Sequence, residues 1–233
     1  MGKLLKEYRV FASRKMRIIE NLCLLGAFGL SILICGVLMG PALGMIFVSM
    51  TIVLVISFID FYMFGGIAVK GQIMMDFVRS SYKGMDVVRK AIIEDAYINM
   101  ARALIISLGS IIISDFILTK NFHPNNLVYA LIIGFTVTSS VYFNQIITRK
   151  FAKTMMAHMG CIYILTIVAS LLLVPPVVII VLENGGIDID YIGSVGIAGY
   201  IYLVIAILLA FVLNRILVKT CINGFKSGYR DTL

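Results

Sequence analysis

The residues of this chain that could do chemistry are few and scattered. Asp60 stands in SFIDFYMF, inside an apolar run. A carboxylate in hydrocarbon costs a few kcal/mol and usually faces a polar cavity or a partner. Counted from a span start near 43, it falls toward the inner third, and it fits either a substrate or proton role or a structural hydrogen bond. Asp115 is close to the outer end of the next apolar run, where water solvates it more easily; neither carboxylate has a partner that the sequence identifies. His123 and His158 each stand alone, which argues against a metal site. Cys23, Cys35, Cys161 and Cys221 lie in or next to apolar runs without CxxC spacing, and read as small apolar side chains with no disulfide. GFKSGYR lacks both the spacing of a P-loop and the strand before it, and no HExxH, GxSxG or clustered carboxylate set occurs. An enzyme activity has no residues to stand on, and no cofactor is expected on this chain.

The elements that carry these residues are membrane spans. With 61% hydrophobic and 14% charged residues, and a mean hydropathy of +1.02, an ordinary soluble domain is excluded. A hydrocarbon core of ~30 Å needs roughly 20 apolar residues per helix. Six runs meet this, at about 19–39, 43–67, 99–118, 127–147, 159–182 and 194–217, which gives one all-α polytopic membrane domain over 1–233. Of the 20 lysines and arginines, 19 fall on one side of this arrangement and only Lys120 on the other. The positive-inside rule places both termini in the cytosol. The net charge of +8 is thus a topology signal and no footprint for nucleic acid.

In chain order, residues 3–17 predict an amphipathic elbow helix, with Leu4, Tyr8, Phe11 and Ala12 on one face and basic residues on the other, lying among lipid headgroups. The turn GPALG (Gly40 to Gly44) makes spans one and two antiparallel neighbours. Gly36, Gly40 and Gly44 would permit close helix approach, but Pro41 interrupts them as a dimer motif. The longest polar interruption, about 78–98, joins spans two and three. Within it Asp86 can cap a helix. Val88, Ala91, Ile92 and Ala96 then form one apolar stripe, and Lys90 pairs with Glu94 at i,i+4 on the other side. Such a helix suits docking to a soluble partner, and it equally suits a solvated connector. Pro175 and Pro176 remove backbone donors within span five, so that helix is expected to be broken, with protein or a cavity satisfying the freed carbonyls.

Three segments, SSYKGMDVVRKAIIEDAYI, VYFNQIITRKFAK and FKSGYRDTL, resemble in order and spacing the small six-helix permease subunits of bacterial ABC-2 type exporters. The basic elbow and the broken fifth helix extend the resemblance over essentially the whole chain. One departure is that Tyr82-Lys83 stands where the family has a proline after the serines. The resemblance implies a non-catalytic subunit in the bacterial plasma membrane, paired with a second permease subunit as homodimer or heterodimer. A separate ATP-binding cassette ATPase would carry ATP and Mg. It would bind a coupling helix whose ridge is Val88, Ala91 and Ile92, with Asp86, Arg89, Lys90 and Glu94 around it. The group includes the phenol-soluble modulin exporter and peptide-antibiotic resistance permeases, which implies an amphipathic peptide cargo, toxin or antimicrobial. Two rival classes are a substrate-binding membrane subunit of an ATP-driven vitamin importer and a non-transport integral-membrane enzyme. The first needs neither a basic elbow nor a long connector between spans two and three; the second needs a polar motif at the membrane face.

The charge bias generates a direct test. Reporter fusions after Lys83 and after Arg149 should read as cytosolic and one near His123 as external; an external signal from the Lys83 fusion would contradict the topology.

Overall fold

Lipid offers no partner to backbone N–H and C=O groups, so long apolar runs satisfy them internally as helices. The computed structural model describes residues 14–38, 40–68, 78, 81–151, 155–185 and 192–230. The expected elbow, apart from its last residues, and most of the 69–80 connector lie outside the described residues. No strand occurs among the described residues, which form α1 (Arg14–Leu33) with a π-helical continuation Ile34–Leu38, α2 (Gly40–Ala68), α3 (Gly84–Thr119), α4 (Pro124–Phe151), α5 (Met155–Ser170), a 3-10 turn Leu171–Leu173, α6 (Val174–Glu183) and α7 (Ile197–Arg230). Five helical segments are long and apolar enough to cross a membrane: Ile18–Leu38, Gly84–Thr119, Pro124–Phe151, Met159–Glu183 and Ile197–Phe225. The chain is therefore a multi-pass membrane protein. The expected span 43–67 falls on α2, whose apolar stretch Gly44–Asp60 is shorter.

Helix α4 is the axis of the bundle. It packs against α2, α3, α5 and α7, and 72% of its most apolar window is buried, against 17% for α7. Its small hydroxyls make this close packing possible. Thr136, Thr138 and Ser140 each donate to the carbonyl four residues earlier, at 2.7 to 2.9 Å, and so enter the interior with their donors satisfied. The α1–α2 hairpin closes through Gly40, whose φ of +72° suits glycine. At Gly44 a β-carbon would lie 2.8 Å from Cys35 Sγ and 2.9 Å from Cys35 Cα. Gly44 thus serves close approach within the hairpin, whereas Gly36 faces α3, where a β-carbon would lie 3.4 Å from Ser114 Oγ and from Ile117 Cδ1.

Helix α3 departs from expectation at its start. It is one continuous helix of 36 residues, about 54 Å at 1.5 Å per residue, and no break separates a surface helix from a span. Lys83 occupies the N-cap position without a side-chain cap; Asp86 sits in the first turn, where its charge complements the helix dipole, and does not cap. Val88, Ala91, Ile92 and Ala96 are 0% exposed and belong to the same core cluster as Val78, Tyr142, Leu217 and Phe225. The apolar stripe is real, but this chain buries it itself. A docking ridge made of Val88, Ala91 and Ile92 is thereby corrected: what α3 shows to solvent at this end is Asp86, Arg89 and Lys90, with Glu94 half-buried.

At the opposite end, Asp115 is fully buried, contrary to the expectation of a solvated carboxylate. It accepts from the His123 backbone N–H at 2.9 Å and lies 2.9 Å from His123 Nδ1. His123 is therefore not alone, and the pair clamps the α3–α4 turn, where Lys120 adopts the left-handed conformation that ends α3. Asn126 Oδ1 accepts from the Ile192 N–H at 3.0 Å, and Asn125 donates to the Gly193 carbonyl, joining this turn to the chain that enters α7.

The fifth span changes pitch at the 3-10 turn, before the prolines, and Pro175 and Pro176 occupy the first turn of α6. A missing N–H costs nothing in that first turn. What remains is the carbonyl of Leu172, four residues before Pro176 and without its helical donor. The Tyr202 hydroxyl of α7 donates to it at 3.0 Å. Removing only that hydroxyl, Tyr202→Phe, strands a carbonyl and should destabilise the protein by about 1 to 3 kcal/mol. The check is the unfolding midpoint of purified protein in detergent; an unchanged midpoint would mean that water replaces the bond.

Candidate functional site

The charged residues buried at the basic end of the bundle form one cluster from four helices, α1 to α4, which Cys221 of α7 joins through a hydrogen bond. Asp60 on α2 pairs with Arg149 Nη2 on α4, with both side chains almost completely removed from solvent. Arg149 Nη1 donates to Cys221 Sγ on α7 at 2.7 Å. On the other side Glu20 of α1 pairs with Arg102 of α3, whose Nη1 also donates to Asn99 Oδ1 at 3.3 Å. Asp95, one turn before Asn99, lies within Coulomb range of Asp60, Glu20, Arg102 and Arg149 and joins the two pairs into one group.

The elements place these side chains for simple reasons. Asp95 and Asn99 are four residues apart on α3, so they share the face that carries Val88, Ala91 and Ile92 inward. The Tyr142 hydroxyl of α4 donates to the Ala96 carbonyl at 2.6 Å and pins that face to the axis. Asn144, two residues further along α4, donates to Ser57 Oγ of α2 at 2.9 Å and to Thr166 Oγ1 of α5 at 3.4 Å. The cluster and its polar surround therefore tie α4 to α2, α3, α5 and α7, while the Glu20–Arg102 pair ties α1 to α3.

The cluster holds three carboxyl groups, Glu20, Asp60 and Asp95, against two guanidiniums, Arg102 and Arg149. Both side-chain atoms of Gln145 and the Asn144 Oδ1 are buried beside it without a hydrogen-bond partner, as are the hydroxyls of Ser49, Ser107 and Ser114 deeper in the bundle. No group of three His, Cys, Asp or Glu able to hold a metal occurs among the described residues. The arrangement can lock helices electrostatically and offer unsatisfied polar atoms to whatever enters the interior.

Asp60 thus has the partner that the sequence did not identify, and a structural ion pair accounts for its burial. Arg149, Arg102, Asp95 and Glu20 were missed as site residues. Arg102 and Arg149 count toward the positive-inside bias, and that reading treats them as solvated. The available signal was position: Glu20 and Arg102 fall inside predicted spans and have opposite signs. Cys221 likewise acts as an acceptor and is more than a small apolar side chain. Of the expected coupling residues, Val88, Ala91 and Ile92 come together in the core, Asp86, Arg89 and Lys90 stay at the surface, and Pro175 and Pro176 lie apart from both groups.

Removing one partner of a buried ion pair costs about 3 to 5 kcal/mol, because the other charge is left uncompensated. Arg149→Met leaves Asp60 and Asp95 facing each other, whereas Asp60→Leu leaves Arg149 with Asp95 nearby. The first should lower folded yield and unfolding temperature more than the second, and the double variant should recover much of the loss. Equal, small effects of both single variants in detergent size-exclusion profiles would remove the pair from this role.

No protein-family model, curated protein or solved structure matches the chain, so the resemblance to ABC-2 permeases stands on the sequence segments alone and the site on its own geometry.

Proposed function

We propose that this chain is the permease subunit of an ATP-driven exporter in a bacterial plasma membrane, with both termini cytosolic and a separate ATP-binding cassette ATPase supplying the energy. The observation that supports it best is the construction of α3. A single helix runs from a solvent-exposed tip to the far side of the bundle, with its first turns fused into the core by Val88, Ala91 and Ile92 and by the charged cluster. A push on that tip therefore moves a whole span and cannot be absorbed by a hinge.

The tip has a surface suited to a protein partner. Tyr82 is 100% exposed, with Lys83 and Asp86 beside it. The turn that carries Tyr82 is fixed: Ser81 Oγ and the Ser81 N–H both donate to the Val78 carbonyl, at 2.9 and 3.2 Å, and a β-carbon at Gly84 would overlap that same oxygen. An exposed aromatic on a rigid turn is the kind of anchor that dominates binding energy, with charged neighbours contributing less. The ATPase contact passes in this way from the buried stripe to Tyr82, Lys83 and Asp86. The orphan polar atoms of Ser49, Ser107, Ser114 and Gln145 suit an interior that meets the backbone of an amphipathic peptide cargo. A second permease subunit completes the pathway.

The test is affinity purification of the tagged chain from membranes of its own host, with the co-purified ATPase quantified and its hydrolysis measured. Tyr82→Ala should reduce recovery of the ATPase about 30-fold, equivalent to about 2 kcal/mol, without affecting folded yield. Ile92→Asp should instead fail to fold, because it buries a charge. A parent chain that recovers no ATPase, or a Tyr82→Ala variant that recovers it fully while still exporting, would overturn the proposal.

A further inference from the structure

Between α3 and α7, at the basic end, lies a groove of about 480 Å³ whose polar lining is Arg89, Tyr97, Asn214, Arg215, Lys219 and Asn223. Three cations from two helices converge there, and no lining residue is acidic. None of the three cations is paired with a carboxylate among the described residues. The ordinary fate of basic residues at a membrane edge is to point singly into water. Here they enclose a concave space instead, together with two amides and a phenol.

What lies below the groove identifies the ligand. On α3, Arg89, Ile93, Tyr97, Ala101 and Ile105 are spaced by four and form one stripe that changes from basic to apolar, ending at Ile105, which is 67% exposed. On α7, Val204, Leu208, Phe211 and Val212 form an exposed apolar stripe that continues into Arg215 and Lys219. The two stripes run side by side, apolar toward the bundle's middle and cationic at its end.

We propose that this groove binds a phosphate-bearing anionic headgroup, with acyl chains lying along the α3 and α7 stripes. Arginine forks match phosphate oxygens in pairs, lysine adds a point charge, and basic pockets between spanning helices at this membrane edge suit such headgroups. A lining of three cations favours a lipid with two phosphates over one with a single phosphate, and either over a zwitterion. The site is independent of the ATPase contact, because Tyr82, Lys83 and Asp86 do not line it.

The experiment is native mass spectrometry of the purified full chain, released from detergent with phosphatidylcholine, phosphatidylglycerol, cardiolipin or inorganic phosphate. Cardiolipin and phosphatidylglycerol adducts should exceed phosphatidylcholine adducts at least tenfold. Arg215→Gln with Lys219→Gln should abolish that preference, and Lys150→Gln, an exposed lysine at the same end of the bundle but outside the groove, should leave it intact. The charge-preserving exchange Arg215→Lys with Lys219→Arg should retain it, which separates lost charge from lost fold. Equal adducts for all three lipids, or selective binding of inorganic phosphate with no lipid preference, would overturn the proposal. So would a double glutamine variant that dissociates a dimer of the chain while its lipid adducts stay unchanged, since the groove would then be a subunit contact.

Discussion

The basic end of the bundle depends on holding Arg149 and Asp60 together away from water. Each ion alone would cost several kcal/mol to bury, and their attraction offsets this only while the geometry and the surrounding hydrogen bonds persist. Cys221 on α7 supplies one of those bonds, and the Asp95 carboxyl on α3 lies within Coulomb range of both members of the pair. Because the members come from different helices, none of these helices can slide or tilt independently without exposing an uncompensated charge to hydrocarbon. In lipid, where apolar surfaces feel no force driving them together, polar contacts of this kind decide which helices associate.

The fusion of α3 follows from this constraint. Its apolar stripe alone would let the first turns rest on any greasy surface, including a partner's. Asp95 and Asn99 lie on the same face and find their counterparts inside this chain, so the stripe follows them inward. The solvent side of the same turns is then basic, and it divides in two. The Tyr82 tip faces away from the bundle, while Arg89 leans into the groove shared with α7. In the proposed reading, this one helix offers separate surfaces to a soluble protein and to lipid, and its continuity would carry movement at either to the far side of the bundle.

Much of the helical layout was legible in the sequence, because apolar length and the positions of prolines and basic residues reflect one-dimensional constraints. The helix boundaries around 99–118 and 127–147 fall within α3 and α4. What could not be read was which face of a stripe meets which neighbour. Val88, Ala91 and Ile92 have the same pattern whether they dock to another protein or to their own core, and periodicity does not distinguish the two. The same limit hid the ion pairs: Asp60 and Arg149 are 89 residues apart, and a positive charge at a span end looks identical whether solvated or buried. His123 and Asp115, eight residues apart across a turn, were closer to being readable, since a short turn between antiparallel spans brings its ends together.

Backbone hydrogen exchange across residues 84–99, measured on the purified chain in lipid nanodiscs, tests the fused lever most directly. If the first turns of α3 belong to the core, the amides of Val88 to Asn99 will be protected to the same degree as those of Ile106 to Ser114, and Arg149→Met will release them selectively. Exchange of this stretch within seconds in the parent chain, beside a protected span, would mean that it is a surface helix on a hinge, and the coupling of its tip to the membrane interior would be lost.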